Sequence, residues 1–343
     1  MSKLQLILAA DIGGTHARFA IAEQSASGAR FVAERQFASR DFPDFHTLIQ
    51  AYLATPEAVA VRGGLSAACV AVAGPVAGDT ATLTNLGWKV TADEIARDLG
   101  LPKVSLINDF YAAGLGVTTL EDDGLVTLQA AEAEPHGTAI IIGAGTGLGV
   151  GIINWDSTGY RVLPSEAGHA DFAATDELQD RLLIYLRRNF GHASWERVIS
   201  GPGLMRIFSF LQNSGFGVPS KRLIEATKQP GADATEVIAE YALAKLDPLA
   251  VRALDLFIAA YGSFAGNMAL AALARGGVYI AGGIAPRIIN RLKEGGFMRT
   301  FTSKSAFTPL LSGIPVQVVM DPQVGLRGAL KVAAEVNGPK VPE

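Results

Sequence analysis

The chain is 343 residues long, 49% apolar and 18% charged, with 38 glycines, one cysteine (Cys69) and a net charge of −4. That length suits two domains, each with a core of its own, and so apolar a composition excludes a disordered chain. The charge balance has no basic excess to neutralise many phosphates, which argues against a nucleic-acid footprint, and one cysteine excludes an intramolecular disulfide or a multi-cysteine zinc site.

The apolar stretch Leu4 to Ala10 is cut by Asp11 and two glycines, which suits a first strand better than a signal peptide. With Ala17–Ala22 it predicts a β-hairpin around a polar, glycine-rich turn. A third strand fits Arg30–Ala38, a helix Phe42–Ala54, and a strand Ala67–Ala73 ahead of Gly74-Pro75. Thr91-Ala-Asp-Glu94 has the form of a capping box opening a short helix that stops at Gly100. Val104–Ile107 predicts a buried strand ended by Asn108-Asp109. Strands followed by alternating helix and strand indicate the α/β class.

A second hairpin of the same plan follows, with strands Ala139–Ile142 and Val150–Ile153 around Gly143 to Gly149. The remainder is mainly helical. Leu178, Leu182, Leu186 and Phe190 form an i, i+4 row after Asp176, and helices fit Leu204–Gln212, Ala234–Lys245 and Leu249–Ala274. Within the last, Leu256–Ala274 carries no charge and contains Gly262-x-x-x-Gly266, a pattern also found in membrane spans. Interruptions at Asp255 and Asn267 favour a buried helix lying close against a sheet, in a soluble cytoplasmic protein. Val278–Ala281 is a strand leading into Gly282-Gly283, and Pro286 starts a helix at the favoured first position. Ile314–Met320 is a strand, and Asp321-Pro322 opens a C-terminal helix near Val324–Val336.

The turn Gly143-Ala-Gly145-Thr-Gly147-Leu-Gly149 lacks the dinucleotide-binding spacing and leads into a strand instead of a helix. No P-loop pattern occurs. What remains is a tight turn of backbone N–H groups, with hydroxyls from Thr15 and Thr146, where glycine lets an anion come close. An ordinary glycine hairpin accounts for one such turn; two, each with a threonine, point to the phosphates of a nucleotide. Asp11 could hold a metal ion through water or cap local backbone. Asp109 ends a strand, where ligands gather in open α/β sheets, and suits either a general base for an alcohol or a helix N-cap. Glu166 and His169 could accept from and donate to neighbouring hydroxyls of a polyol. Five histidines with no second Glu-x-x-His lend a metal site little support. Taken alone, Glu196 to Gly203 reads as a helix end and a loop. Gly282-Gly283 suits the flat face or ribose of a nucleotide, or a simple tight turn.

Together these elements resemble the sugar kinase/actin/Hsp70 superfamily, and within it the chain is most similar to the bacterial glucokinases, from Leu6 to about Ala334. Asp11-Ile-Gly-Gly-Thr15 resembles the first phosphate motif, Gly143 to Gly149 the second, and Ile280-Ala-Gly-Gly-Ile284 the adenosine motif. The most specific pieces are Ile107-Asn-Asp-Phe110, Ser165 to Phe172 and Glu196 to Gly203. The resemblance implies an α/β fold of two actin-like (ribonuclease H-like) domains flanking a deep cleft, the C-terminal one larger and more helical. Residues 1–109 with about 322–343 would form the small domain and 110–321 the large one.

It further implies ATP-dependent phosphorylation of D-glucose at the 6-hydroxyl, with Asp109 as catalytic base. Asn108, Glu166, His169 and Glu196 would lie on the sugar, joined by Asn85 from the hexose loop Thr84-Asn-Leu-Gly-Trp88. Gly13, Gly14, Thr15, Gly143, Gly145, Thr146 and Gly147 would hold the phosphates, and Gly282 and Gly283 the adenosine. Mg²⁺ would be approached by Asp11 through water. A homodimer is implied, with no nucleic-acid or membrane partner. Two features depart from relatives: Ala167 stands where the Glu-Gly-Gly-His form has glycine, and the cysteine-rich zinc motif of the related repressor/kinase group is missing. The group's DNA-binding module is likewise not expected, since the chain starts with its first strand. A kinase for another hexose (fructose, mannose or an N-acetylated amino sugar), a non-enzymatic sugar sensor and an actin-like ATPase are the alternatives. Asp109 weighs against the sensor, and Glu166, His169 and Glu196 weigh against the ATPase.

Overall fold

The computed structural model describes residues 5–25, 28–83 and 85–336. Leu4 of the expected first strand, Thr84 of the hexose loop and the end of the C-terminal segment beyond 336 lie outside the described residues. Contacts group the chain into two compact units. One runs up to Glu121 and includes Tyr160–Pro164 and the chain from Asp321; the other comprises Asp122–Gly159 and Ser165–Met320.

The first unit is built on β1 (Gln5–Ile12), β2 (His16–Ser25), β3 (Gly28–Ala38), β4 (Leu65–Val72), the short β5 (Val76–Ala77), β6 (Thr80–Leu83) and β7 (Trp88–Thr91), and β8 (Ser105–Asn108). Its main sheet has the order β3-β2-β1-β4-β8. The β1–β2–β3 pairings are antiparallel, whereas β1, β4 and β8 run parallel. Alternation along β1 sends successive side chains to opposite faces. Leu8, Ala10 and Ile12 meet Phe45, Leu48, Ile49 and Tyr52 of α1 (Phe45–Leu53). Ile7 and Ala9 join Ala20, Ala22, Ala67 and Ala71 against Leu326, Ala329, Leu330 and Ala333 of the C-terminal helix Val324–Val336. Small side chains on this second face let the helix lie close to the sheet.

The expected hairpin, third strand, β4 and β8 are all present, although β8, expected to be buried, is half-buried along its length. Helix α1 starts three residues later than expected because Asp44 is its N-cap, accepting from the Thr47 N–H at 2.7 Å. A second helix, α2 (Pro56–Val61), and the three-stranded β5-β6-β7 sheet were not expected. In α3 (Ala92–Leu99) the Thr91 hydroxyl accepts from the Glu94 N–H at 3.3 Å and donates to the Glu94 carboxylate at 2.7 Å; Gly100 ends the helix in the left-handed region.

A second sheet has the order β12-β11-β10-β13-β14-β9, from β9 (Leu125–Gln129), β10 (Ala139–Ala144), β11 (Leu148–Trp155), β12 (Tyr160–Ser165), β13 (Gly277–Ala281) and β14 (Val316–Val319). The β10–β11 hairpin is as expected, and β10, β13 and β14 are parallel. Asp176 caps α5 (Glu177–Phe190), which buries Leu182 and Leu186. At its end the Arg197 and Arg206 guanidinium groups lie 4.9 and 5.3 Å from the Phe190 ring centre.

Ser200-Gly-Pro-Gly, expected to end a helix, opens one instead. Ser200 caps the Gly203 N–H at 3.0 Å, and Pro202 sits in the first turn of α6 (Gly201–Asn213), where no N–H is missed. After α7 (Lys221–Thr227) and α8 (Ala234–Leu243) comes the long apolar helix α9 (Pro248–Ala272). It is long and apolar enough to cross a membrane, yet 78% of its most apolar window is buried within the protein. Its Tyr261 hydroxyl donates to the Ile142 carbonyl of β10 at 3.3 Å. Gly262 and Gly266 do not face the sheet as expected. A Cβ on Gly262 would lie 2.1 Å from the Phe297 carbonyl oxygen, and one on Gly266 2.4 Å from that of Phe301. The small residues receive the backbone of the helix Gly296–Thr302. Pro286 is the third residue of its short helix, which begins at Ile284.

Candidate active site

In the first unit the β1–β2 turn is closed by the Gly13 N–H donating to the His16 carbonyl at 2.9 Å. Ser39, fully buried, pins it from behind: its hydroxyl donates to the Gly13 carbonyl at 2.7 Å and its N–H to that of Thr15 at 3.0 Å. Sequence reasoning passed over Ser39, because two whole strands separate it from its partners in the chain. Thr15 is exposed on the turn. Asn85 leans on the same turn, with its Cβ 3.2 Å from where a Cβ of Gly14 would be.

Asp11 pairs with Arg18 across the hairpin and packs on Gly325, in the first turn of the C-terminal helix. A Cβ on Gly325 would come within 2.6 Å of Asp11 Oδ2. Burial raises the Asp11 pKa above its ordinary value, with the Arg18 charge opposing. A carboxylate whose charge is disfavoured by burial gains from a nearby cation, so this residue fits a metal role. Among the described residues no group of three or more His, Cys, Asp or Glu side chains could hold a metal ion. A cation here would therefore take most of its ligands from substrate phosphates and water, which is the habit of Mg²⁺.

Ile12, Val72 and Asn108 are in register at the carboxyl ends of three parallel strands. Strand spacing then sets the backbone at Asp109 about 10 Å from that at the Asp11 turn. The N-cap of α4 (Asp109–Val117) is Asn108, not Asp109. Asn108 Oδ1 accepts from the Phe110 and Tyr111 N–H groups at 2.9 and 3.2 Å. Its amide donates to the Gly74 carbonyl at 3.1 Å and to Asp109 Oδ1 at 3.0 Å. Asp109 Oδ1 also accepts from the Phe110 N–H at 2.9 Å. The half-buried carboxylate is thereby fixed on the first residue of a helix at a strand end.

In the second unit Glu166, His169 and Glu196 come together. His169 Nε2 is 3.9 Å from Glu166 Oε2, and His169 Nδ1 is 4.0 Å from Glu196 Oε1. These separations are too long for hydrogen bonds. Glu166 and His169 are largely exposed, whereas the Glu196 side chain is 32% exposed. Backbone bonds hold the cluster: the His169 N–H donates to the Glu166 carbonyl at 2.9 Å and the Glu196 N–H to that of Gly168 at 2.8 Å. Ala167 lies in the short 3-10 turn Ala167–His169 and has no positive φ, so alanine is accommodated there without backbone strain.

Glu196 also reaches the glycine turn between β10 and β11. Its Oε2 accepts from the Leu148 N–H at 3.0 Å, and a Cβ on Gly147 would fall 2.6 Å from that oxygen. The Gly145 carbonyl accepts from the Gly201 N–H at 2.8 Å, which brings the start of α6 to the same turn. Gly143 is in register with Ala281, so Gly282-Gly283 follows beside it. Gly282 has φ +82°, and a Cβ there would meet the Ala144 carbonyl oxygen at 2.4 Å. At Gly145 and Gly283, by contrast, a Cβ would have nothing within 4 Å, and Thr146 is exposed. This unit thus offers a glycine turn open at Gly145, with Gly283 open beside it, next to the side chains of Glu166, His169 and Glu196.

The glucokinase family model matches residues 8–336. The chain is 40% identical over 345 residues to a glucokinase of Nostoc punctiforme, covering 97% of this chain and 100% of that protein. It is 37% identical to a glucokinase of Photorhabdus laumondii over 94% of this chain and 95% of that one. Among solved structures, a glucokinase from an Antarctic psychrotroph superposes with a TM-score of 0.81 at 31% identity, over 97% of this chain and 100% of that one. The ROK-family glucokinase of Streptomyces griseus, solved with glucose and AMPPNP, shares the fold at a TM-score of 0.64 and 22% identity, over 96% and 99% of the two chains. With a family model spanning nearly all of its length and relatives matched from end to end, this chain belongs to the glucokinase family.

Proposed function

We propose that the chain is a glucokinase that transfers the γ-phosphoryl group of ATP to the 6-hydroxyl of D-glucose, giving glucose 6-phosphate and ADP. The observation that carries this is the convergence of Glu166, His169 and Glu196, three groups suited to hydroxyls, with Glu196 bonded into a glycine turn suited to phosphates. Asp109 accepts the proton of the 6-hydroxyl as that oxygen bonds to the γ-phosphorus and the bond to the bridging oxygen of ADP breaks. The transition state is loose, so catalysis consists mainly of positioning and charge stabilisation. Asn108 and Asn85 contact the sugar beside Asp109, while Glu166, His169 and Glu196 hold other hydroxyls. A sugar lacking one of these hydroxyls leaves charged groups unpaired, which is a strong source of discrimination.

The turns that carry Gly13 and Gly14 and Gly143, Gly145 and Gly147, with the hydroxyls of Thr15 and Thr146, receive the phosphates, and Gly282-Gly283 receives the adenosine. Mg²⁺, approached by Asp11 through water, would supply charge neutralisation on the phosphate oxygens. The proposal includes a cytoplasmic homodimer without nucleic-acid or membrane partners, and functional domains divided near Asp109 and Pro322. A sugar-panel assay tests it: ADP release is followed with ATP and Mg²⁺ over glucose, fructose, mannose and N-acetylglucosamine. Glucose should give the highest kcat/KM. A higher value for another sugar, or ADP release independent of sugar, would overturn the proposal.

A further inference from the structure

The short segment from Glu196 to Gly201 clasps the glycine turn at both shoulders. At one end Glu196 Oε2 takes the Leu148 N–H at 3.0 Å; at the other the Gly201 N–H takes the Gly145 carbonyl at 2.8 Å. The second oxygen of the same carboxylate, Oε1, faces His169 Nδ1 at 4.0 Å. A carboxylate is rigid and planar, so its two oxygens cannot be repositioned separately. The contact is also tight, since even one methyl group on Gly147 would overlap Oε2 at 2.6 Å. The sugar-facing oxygen is therefore held in place by the turn, and the turn by the sugar-facing residue.

Resting on the glucokinase assignment above, we infer that Glu196 couples the sugar site to the nucleotide site: each ligand, by fixing this carboxylate, prepares the binding groups of the other. Coupling of this kind is reciprocal, and between two sites it typically amounts to about 5- to 150-fold in affinity. It makes a cross-site prediction that simple contact roles do not. A substitution in the nucleotide turn weakens glucose binding when no nucleotide is present. A substitution in the sugar cluster weakens nucleotide binding when no sugar is present.

Titration calorimetry on the full chain tests this, with glucose alone and ADP alone as the probes. Gly147→Ala should raise the Kd for glucose at least about fivefold, and Glu196→Gln should raise the Kd for ADP by a similar factor. Glucose binding to the double variant should be no weaker than to Glu196→Gln alone, because both changes act on one carboxylate. Melting curves establish that each variant is folded; if Gly147→Ala is not, ADP binding by Glu196→Gln decides alone. Unchanged cross-site affinities in folded variants, or losses that simply add in the double variant, overturn the coupling and leave the glucokinase assignment standing. Failure of the unaltered chain to bind glucose overturns both.

Discussion

The Asn108 amide donates to Asp109 Oδ1 at 3.0 Å, while Asn108 Oδ1 caps the helix that Asp109 begins. One side chain thus does two things. It closes the N-terminus of α4, and it sets the direction of the proposed base. Asn108→Ala should cost about 1 kcal/mol of stability as a lost cap, read as a shift in urea midpoint. It should also lower kcat between about ten- and a hundredfold, since small misplacements of a catalytic group are expensive. A destabilised variant with unchanged kcat would reduce Asn108 to a structural cap.

Asp11 carries a raised pKa because burial penalises its charge. A carboxyl group whose folded pKa exceeds its unfolded value contributes stability below the unfolded pKa, and that stability is lost as pH rises through the folded value. At neutral pH the raised pKa of Asp11 is therefore a cost to the unliganded fold. Asp11→Asn should raise the Tm of the unliganded protein at pH 7, by a margin that shrinks towards pH 3.8, the ordinary value for the group. The same change should lower kcat/KM for ATP with Mg²⁺ by at least about tenfold. A lower Tm with normal activity would contradict both halves.

Gly262 tests how α9 is seated. In an exposed helix, replacing glycine by alanine stabilises by about 1 kcal/mol. Here the added methyl would meet the Phe297 carbonyl oxygen at 2.1 Å and the Thr300 hydroxyl at 2.4 Å. Gly262→Ala should therefore destabilise, by about 1–3 kcal/mol as overpacking does, in a denaturant titration. A neutral or stabilised variant would mean that the helix Gly296–Thr302 can move aside at little cost.

Legibility of the sequence followed the range of the interactions. The two glycine hairpins, the capping box at Thr91 and the helix carrying the row Leu178, Leu182, Leu186 and Phe190 declare themselves within a few residues, and each is present, although of that row only Leu182 and Leu186 are buried and Phe190 is exposed. The strands β5 to β7 were missed because segments as short as Val76–Ala77 and Thr80–Leu83 carry too little alternation to register. Ser200-Gly-Pro-Gly was misread although its signal was there: a serine cap with proline in the first turn opens helices. Gly262 and Gly266 announced a close approach, but nothing nearby in the chain could say whether a sheet or a helix would make it. The bonds from Ser39 to Gly13 and from Leu148 to Glu196 join residues 26 and 48 positions apart. No local pattern encodes such pairs, so the motifs were legible and their supports were not.

Assigning Asp109 as the base is tested most directly by the steady-state and binding behaviour of Asp109→Asn. The substitution keeps size and shape and removes the proton acceptor. It should lower kcat for glucose at least about a hundredfold, with the Kd for glucose within about threefold of the unaltered protein and the Tm unchanged. Near-normal kcat in the folded Asp109→Asn variant would contradict the assignment.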